Sequence, residues 1–404
     1  MISICLPVKN AGCGFGRWLD AWQRQRIGEE FELVAVDSGS SDETVERSRA
    51  AGARVASVPP ASFNHGETRN HLARLARGET LVFTVQDAVP ANERVLQELV
   101  EPLRQEPGLA GVCGVQIPDP DGDRVGRWET TQLARSVGEH RQWKRLESWD
   151  EFLTWDIARR FQSVSFDNVC SAVRRSAWER LPFSRIDFGE DLDWSLRVLR
   201  GGGALLVNPA AQVVHSHRRG PMAWLRRYFV GRRRTSHVLH MPPEHGELDD
   251  ADLFRAVQRF DAQVVGFLEV PWRRTVVPTL PRLVDGLLPE KIRRPLRALG
   301  LRGLRYLVNW RSGTRPLLSL AKLWDQIVRS SGPIPPEQAP LVARQLEALI
   351  LGDFLGSYYH TCEVERRVHP VLEELGRWLA AEPAHNDTYD PCELASFFGR
   401  LPAS

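Results

Sequence analysis

The chain has 404 residues, of which 42% are hydrophobic and 26% charged, with a net charge of +2. That is a soluble globular composition on a chain too long for one ordinary core, so two domains are expected. No run of eighteen apolar residues is present, and Met1 leads directly into ISICLPV, too short for a signal peptide; this predicts a cytoplasmic protein and excludes a membrane-spanning segment.

In chain order, ISICLPV (2–8), FELVAVD (31–37), ARVASV (53–58), ETLVFTV (79–85) and AGVCGVQI (110–117) read as strands. The segments near 15–26, 41–52, 65–77 and 91–104 carry helical spacing. Alternation of this kind predicts βαβ units, a mainly parallel sheet and a ligand site at the carboxyl ends of the strands. Three polar loops meet that edge: Pro7-Val8-Lys9-Asn10, the run from Asp37 to Asp42, and Gln86-Asp87. Ser40 or Ser41 is placed to cap a helix that begins at Asp42. After Asp87 comes Val89-Pro90, where a strand cannot easily continue.

Pattern weakens from 120 to 165 and returns at 166–183, FDNVCSAVRRSAWERLPF. A helix is expected from Glu190 to the glycines at 201–203, then two short strands, ALLV (204–207) and AQVVH (211–215). Residues 218–234 are crowded with arginine, interleaved with Trp224, Tyr228 and Phe229. That segment reads equally as a membrane-surface helix, a partner for diphosphate, or a solvated face.

From 241 to 404 the chain is rich in Leu, Arg and Ala. Helical spacing in PRLVDGLL (281–288), 316–328, 339–360 and 368–380 follows a linker near 271–290 and predicts a helical C-terminal domain. The six cysteines, at 5, 13, 113, 170, 362 and 392, include no C-x-x-C pair, so neither a zinc ribbon nor a disulfide framework is indicated, and most should be small buried hydrophobes.

Taken in order, PVKN, VDSGSSDET, the acid after the fourth strand and the GED helix start resemble family 2 glycosyltransferases of the GT-A fold. FNHGETRN, TVQDAVP, FDNVCSAVRRSAWERLPF, GEDLDWSLRVLRGGG and VVHSH narrow the resemblance to bacterial rhamnosyltransferases. It covers roughly residues 1 to 235. The resemblance implies an α/β GT-A domain over 1–240, and inverting transfer of a sugar, L-rhamnose from dTDP-L-rhamnose, to a hydroxyl of a surface glycan or lipid-linked acceptor. A UDP-hexose or UDP-N-acetylhexosamine donor is the alternative; a non-catalytic carbohydrate-binding or scaffolding protein is another.

Three chemical needs are assigned accordingly. Pro7 and Asp37 match positions lining the nucleotide-base pocket. His65, Gly66 and Arg69 suit the diphosphate, the first two as a helix start and the third as a bidentate cation. Gln86 and Asp87 stand with them. Asp191 matches the family's base, its pKa raised by the neighbouring Glu190 and Asp193. Asn168, Glu190 and Trp194 are assigned to the acceptor side, and Trp178 to the core. Asp87, His215 and His217 are expected to hold Mg²⁺ or Mn²⁺, the two histidines sharing one face of a regular strand. Val85 replaces the first acid of the usual Asp-x-Asp, which leaves the arginines after 217 as an alternative neutraliser. Peripheral contact with the inner membrane face through 218–234 and a homodimer through the C-terminal helices are open; nucleic acid is not expected, since no recognisable module accompanies the arginines.

Overall fold

A computed structural model of the chain describes residues 1–248, 253, 264 and 314–380. The helix expected at 281–288, the linker near 271–290 and Cys392 lie outside the described residues. The chain folds as two compact units: Met1–Gly122, Glu129–His217 and Arg234–Met241 form the first, and Asp123–Trp128, Arg218–Arg233 and the described residues from Pro242 onward form the second. Segments 123–128 and 218–233, which precede the expected boundary at 240, thus belong to the second unit.

Nine strands of the first unit build one sheet: β1 (Ile2–Val8), β2 (Phe31–Asp37), β3 (Arg54–Ser57), β4 (Thr80–Thr84), β5 (Val89–Pro90), β6 (Leu109–Ile117), β7 (Gln142–Lys144), β8 (Cys170–Arg174) and β9 (Ala204–Val214). Their order is β3-β2-β1-β4-β8-β6-β9-β5, with β7 also on β9. β1 to β4 are parallel, as are β6 and β9; β8 runs antiparallel between β4 and β6. The helices in chain order are α1 (Phe15–Gln23), α2 (Thr44–Ala50), α3 (His65–Leu75), α4 (Val95–Gln105), α5 (Arg124–Val137), α6 (Trp149–Thr154), α7 (Ile157–Val164), α8 (Arg175–Arg180), α9 (Glu190–Arg200) and α10 (Pro221–Val238).

Alternation along β1 decides which helices lie on which face. Ile2, Ile4, Leu6 and Val8 pack with Trp18 of α1 and Leu99 of α4, whereas Cys5 points to the other side, with Phe83 of β4 and Leu192 of α9. Both faces are covered, so β1 and β4 read as nearly continuous apolar runs, interrupted by the buried Ser3 in β1 and bounded by Thr80 and Thr84 in β4. This is the α/β GT-A arrangement, and it brings the ends of β1, β2 and β4 to one edge.

Three local expectations are corrected. The segments 204–207 and 211–215 are one strand, β9: Ala204–Val207 pairs with the first half of β6 and Gln212–Val214 with the second, the intervening residues taking up a register shift. Helix α2 starts at Thr44 rather than Asp42, and neither serine caps it. Ser40 and Ser41 instead bond to Asn10, while Asp42 accepts from the Thr44 amide and hydroxyl. Finally, Val89-Pro90 does form a strand. It pairs antiparallel with Val213 and Val214 as the last strand of the sheet order, a place where the missing proline N–H breaks no ladder.

The second unit contains α11 (Thr314–Ser331), α12 (Ala339–Val364) and α13 (Pro370–Ala380), at the places where the spacing predicts helices. Trp224 and Phe229 are buried in its apolar core with Trp324, Leu355 and Tyr358. Arg232 pairs with Glu244 and Arg233 with Glu363, while in the first unit Arg234 pairs with Asp187. Of the aromatics that a membrane surface would take up, Trp224 and Phe229 are therefore spent on the helical core. No helix among the described residues is long and apolar enough to cross a membrane. Cys5, Cys113, Cys170 and Cys362 are buried and Cys13 is exposed.

Candidate active site

The polar edge is held by side chains that bond to backbone across the loops. Gln86 and Lys9 exchange two hydrogen bonds: the Lys9 N–H donates to Oε1 at 2.8 Å, and Nε2 donates to the Lys9 carbonyl at 2.9 Å. Gln86 is thereby a tie between the loops after β1 and β4. Asp37, at the end of β2 and opposite Val8, accepts from the Ser40 hydroxyl at 2.5 Å and from the Gly39 and Ser40 amides at 3.1 Å. Both its oxygens serve its own turn. Pro7 sits opposite Val36 near the same edge.

Helix α3 begins at His65 behind the Asn64 cap, which accepts from the Glu67 amide. Gly66 is required there, because a Cβ would lie 2.1 Å from the Ser184 carbonyl oxygen. His65 is exposed and stacks edge-on against Phe63. Arg69, one turn further on, is buried, and its Nη1 donates to Glu190 Oε1 at 2.5 Å. This corrects its assignment to the diphosphate: the guanidinium is spent on an internal ion pair, with side-chain exposures of 5% and 6%.

Glu190 opens α9 after Gly189, whose φ of 75° favours glycine. Asp191 follows, its Oδ1 accepting from the Leu192 amide at 2.8 Å and its Oδ2 from the Asn168 amide at 3.2 Å. Burial, and then the negative charges of Glu190 and Asp167, push the Asp191 carboxyl up to about 8. Asp193, expected to contribute, is turned to Ser184 and Arg197 instead. Two of the acceptor-side residues, Trp194 and Glu190, are corrected too. Trp194 is 0% exposed, with its Nε1 on the Leu181 carbonyl, so it offers no ring face to a sugar. Asn168 is buried with its Oδ1 on Ser171, while its Nδ2, the group that would donate to an acceptor, has no hydrogen-bond partner among the described residues; Glu190 is taken by Arg69. Trp178 is a core residue, as expected, hydrogen-bonded to Asn70.

On the other side of the edge, Asp87, His215 and His217 come together, with one ligand atom of each lying within 4.8 Å of the others. The cause is the β5/β9 pairing. Val89 lies opposite Val214, which brings the turn that holds Asp87 beside the residues that follow β9, His215 to His217. The regular strand ends at Val214, yet the imidazole centroids lie 4.4 Å apart. Partial desolvation would raise the Asp87 carboxyl, but the hydrogen bond and charge of His215 and the charge of His217 hold it below the usual carboxylate range. Val85 packs instead against the apolar cluster on the α1 and α4 side of the sheet. One carboxylate and two imidazoles form a donor set suited to a divalent transition ion, so of the two expected cations the residues present fit Mn²⁺ better than Mg²⁺, without the absent first acid.

Two residues of the site escaped the sequence reading, Gln116 and Asp167. Gln116 ends the apolar strand β6; its Oε1 lies 2.7 Å from His215 Nδ1, and its Nε2 bonds Asp167 Oδ2. A lone amide at the carboxyl end of a buried strand is the signal that marks it. Asp167 stands in the quoted FDN next to Asn168, and its charge acts on Asp191. A contiguous path therefore runs from Asp191 through residues 168 and 167, Gln116 and His215 to Asp87.

Compared with known proteins, the chain matches the model for Glycosyl transferase family 2 over residues 3–181. It is 30% identical over 232 residues to an O-antigen chain rhamnosyltransferase of Salmonella anatum, covering 56% of this chain and 70% of that protein. A second O-antigen chain rhamnosyltransferase, from Salmonella typhimurium, is 30% identical over 235 residues, with coverage of 56% and 70%. Among solved structures, glucosyl-3-phosphoglycerate synthase of Mycobacterium tuberculosis, in complex with Mn²⁺, UDP-glucose and phosphoglyceric acid, is similar at 20% identity. That likeness covers 61% of this chain and 83% of that one, with a TM-score of 0.44.

Proposed function

The chain belongs to glycosyl transferase family 2, and we propose that this nucleotide-sugar-dependent glycosyltransferase moves L-rhamnose from dTDP-L-rhamnose to a hydroxyl of a surface glycan or lipid-linked acceptor, inverting the anomeric carbon. The observation that carries the donor sugar is the 30% identity to two O-antigen chain rhamnosyltransferases.

Each residue has a task in this reading. Asp191 accepts the proton of the acceptor hydroxyl on its carboxyl, which is held by the Leu192 amide at Oδ1 and the Asn168 amide at Oδ2. Asp87, His215 and His217 hold Mg²⁺ or Mn²⁺, which when bound neutralises the departing diphosphate. Pro7 and Asp37 form the wall of the base pocket, with Gln86 fixing the loop beside it and His65 at the start of α3 facing the donor side. Arg69 and Glu190 lock α3 to α9 and so set where Asp191 stands. We assign this chemistry to the first unit, with the second unit serving association.

A donor screen with and without EDTA tests donor and cation together. dTDP is expected to raise the melting temperature more than UDP, since a ligand that binds only the folded state stabilises it by about 2.7 kcal/mol at a hundred times its dissociation constant. Turnover of dTDP-L-rhamnose is expected to stop in EDTA and return with Mn²⁺ or Mg²⁺. A shift with UDP alone, or equal shifts, would turn the donor to a UDP-hexose or UDP-N-acetylhexosamine. Turnover indifferent to EDTA would remove the cation and leave diphosphate to the protein's own charges.

A further inference from the structure

Gln116 lies outside every role assigned above, yet it touches both halves of the site. Its amide has one acceptor and one donor end, and Asp167 decides which way they point. A carboxylate offers only acceptor atoms, so the NH₂ of Gln116 must face Asp167, as it does. The Oε1 end is then left against His215 Nδ1 at 2.7 Å. An oxygen acceptor at that distance requires the proton on Nδ1. In the neutral ring, Nε2 is then bare, and it is Nε2 that faces Asp87 Oδ1, at 3.4 Å. A lone pair turned toward a carboxylate is unfavourable by itself; a proton on Nε2, as in the charged ring that lowers the Asp87 carboxyl, relieves it, and in the neutral ring a divalent cation between the two does so.

We propose that Gln116 is a positioning residue, oriented by Asp167, that holds His215 in its Nδ1–H tautomer so that Nε2 is presented to a divalent cation shared with Asp87 and His217. This rests on the cation reading given above. The physical role is that of an outer partner to a metal ligand, which fixes ring orientation and tautomer and is typically worth about 10- to 100-fold in metal affinity. His215 is 3% exposed, so bulk water does not replace a lost Gln116 contact.

The test uses the full-length protein, free of metal, labelled with ¹⁵N-histidine. Long-range proton–nitrogen correlation above the imidazole titration reports the tautomer, with the His215 resonances assigned by their loss in His215→Ala. Wild type is expected to show Nδ1–H at His215, and Gln116→Met, of similar volume but without the amide, is expected to lose that preference. Mn²⁺ binding followed by electron paramagnetic resonance should weaken about 10- to 100-fold in Gln116→Met. An Nε2–H tautomer in wild type overturns the proposal and needs no variant to fold. So does an unchanged Mn²⁺ affinity in Gln116→Met beside a clear loss in Asp87→Ala. If Asp87→Ala leaves Mn²⁺ binding untouched while Gln116→Met shifts the tautomer, the cation reading fails and the hold of Gln116 on His215 stands.

Discussion

Replacing Asp191 with asparagine is expected to lower the rate of sugar transfer by about 10²- to 10⁴-fold, the usual contribution of a positioned general base, while leaving thermal stabilisation by the donor nucleotide intact. The amide keeps the shape of the carboxyl but cannot take the proton. Steady-state turnover with saturating donor and acceptor measures the loss. Unchanged turnover would remove Asp191 from the chemistry. The pH profile gives a second reading. With the Asp191 carboxyl pushed up to about 8, the working ionised form accumulates only as pH rises, so kcat/KM should climb through that region. Stability moves the opposite way. Because the folded pKa lies above the unfolded one, the contribution to folding is full below about pH 4 and is lost as pH rises through about 8. The melting temperature of wild type should thus fall more between pH 5 and pH 8 than that of Asp191→Asn. Equal slopes would mean that the carboxyl is not held protonated by its surroundings.

The second large effect is on stability, at the pair Arg69 and Glu190. Arg69→Met leaves Glu190 buried with its charge uncompensated, and breaking such a pair from one side costs about 3–5 kcal/mol. Urea unfolding measures it. The double variant Arg69→Met with Glu190→Leu should recover most of the loss, since an apolar pair of similar volume is often neutral there. The Arg69 charge also lowers the Asp191 pKa, so the rising limb of the pH profile should move to higher pH in the single variant Arg69→Met, and back to lower pH in the double variant, which also removes the larger raising effect of Glu190. If Arg69→Met changes stability by less than about 1 kcal/mol and raises only the donor KM, the arginine serves the diphosphate after all.

How far the sequence reaches differs from residue to residue. The run Ile2 to Val8 and the apolar core of ETLVFTV are strands because both faces of the sheet are covered, and a continuous apolar run needs no knowledge of partners to be read. The starts of α3 and α9 follow locally from the Asn64 cap and the positive φ of Gly189, whereas Gly66 is fixed by the Ser184 carbonyl far along the chain. Asp87 with His215 and His217 was found through motif order, since 128 residues of chain separate Asp87 from His215 and nothing local relates them.

The roles of Arg69, Glu190 and Trp194 could not be read locally. Arginine, glutamate and tryptophan at a helix start suit a ligand or a neighbour equally well, and burial decides between these. In the fold α3 meets α9, so Arg69 reaches Glu190 before it reaches solvent, and Trp194 turns into the apolar layer. Gln116 shows the same limit from the other side. An amide at the end of an apolar strand is visible in the sequence, but its direction depends on an aspartate 51 residues away. By itself, then, the sequence determined most element types outside 120–165, the edge at which polar loops gather and the family. Which polar groups face that edge and which are consumed in pairing one another were decided only by tertiary structure, because each depends on a contact partner distant in the chain.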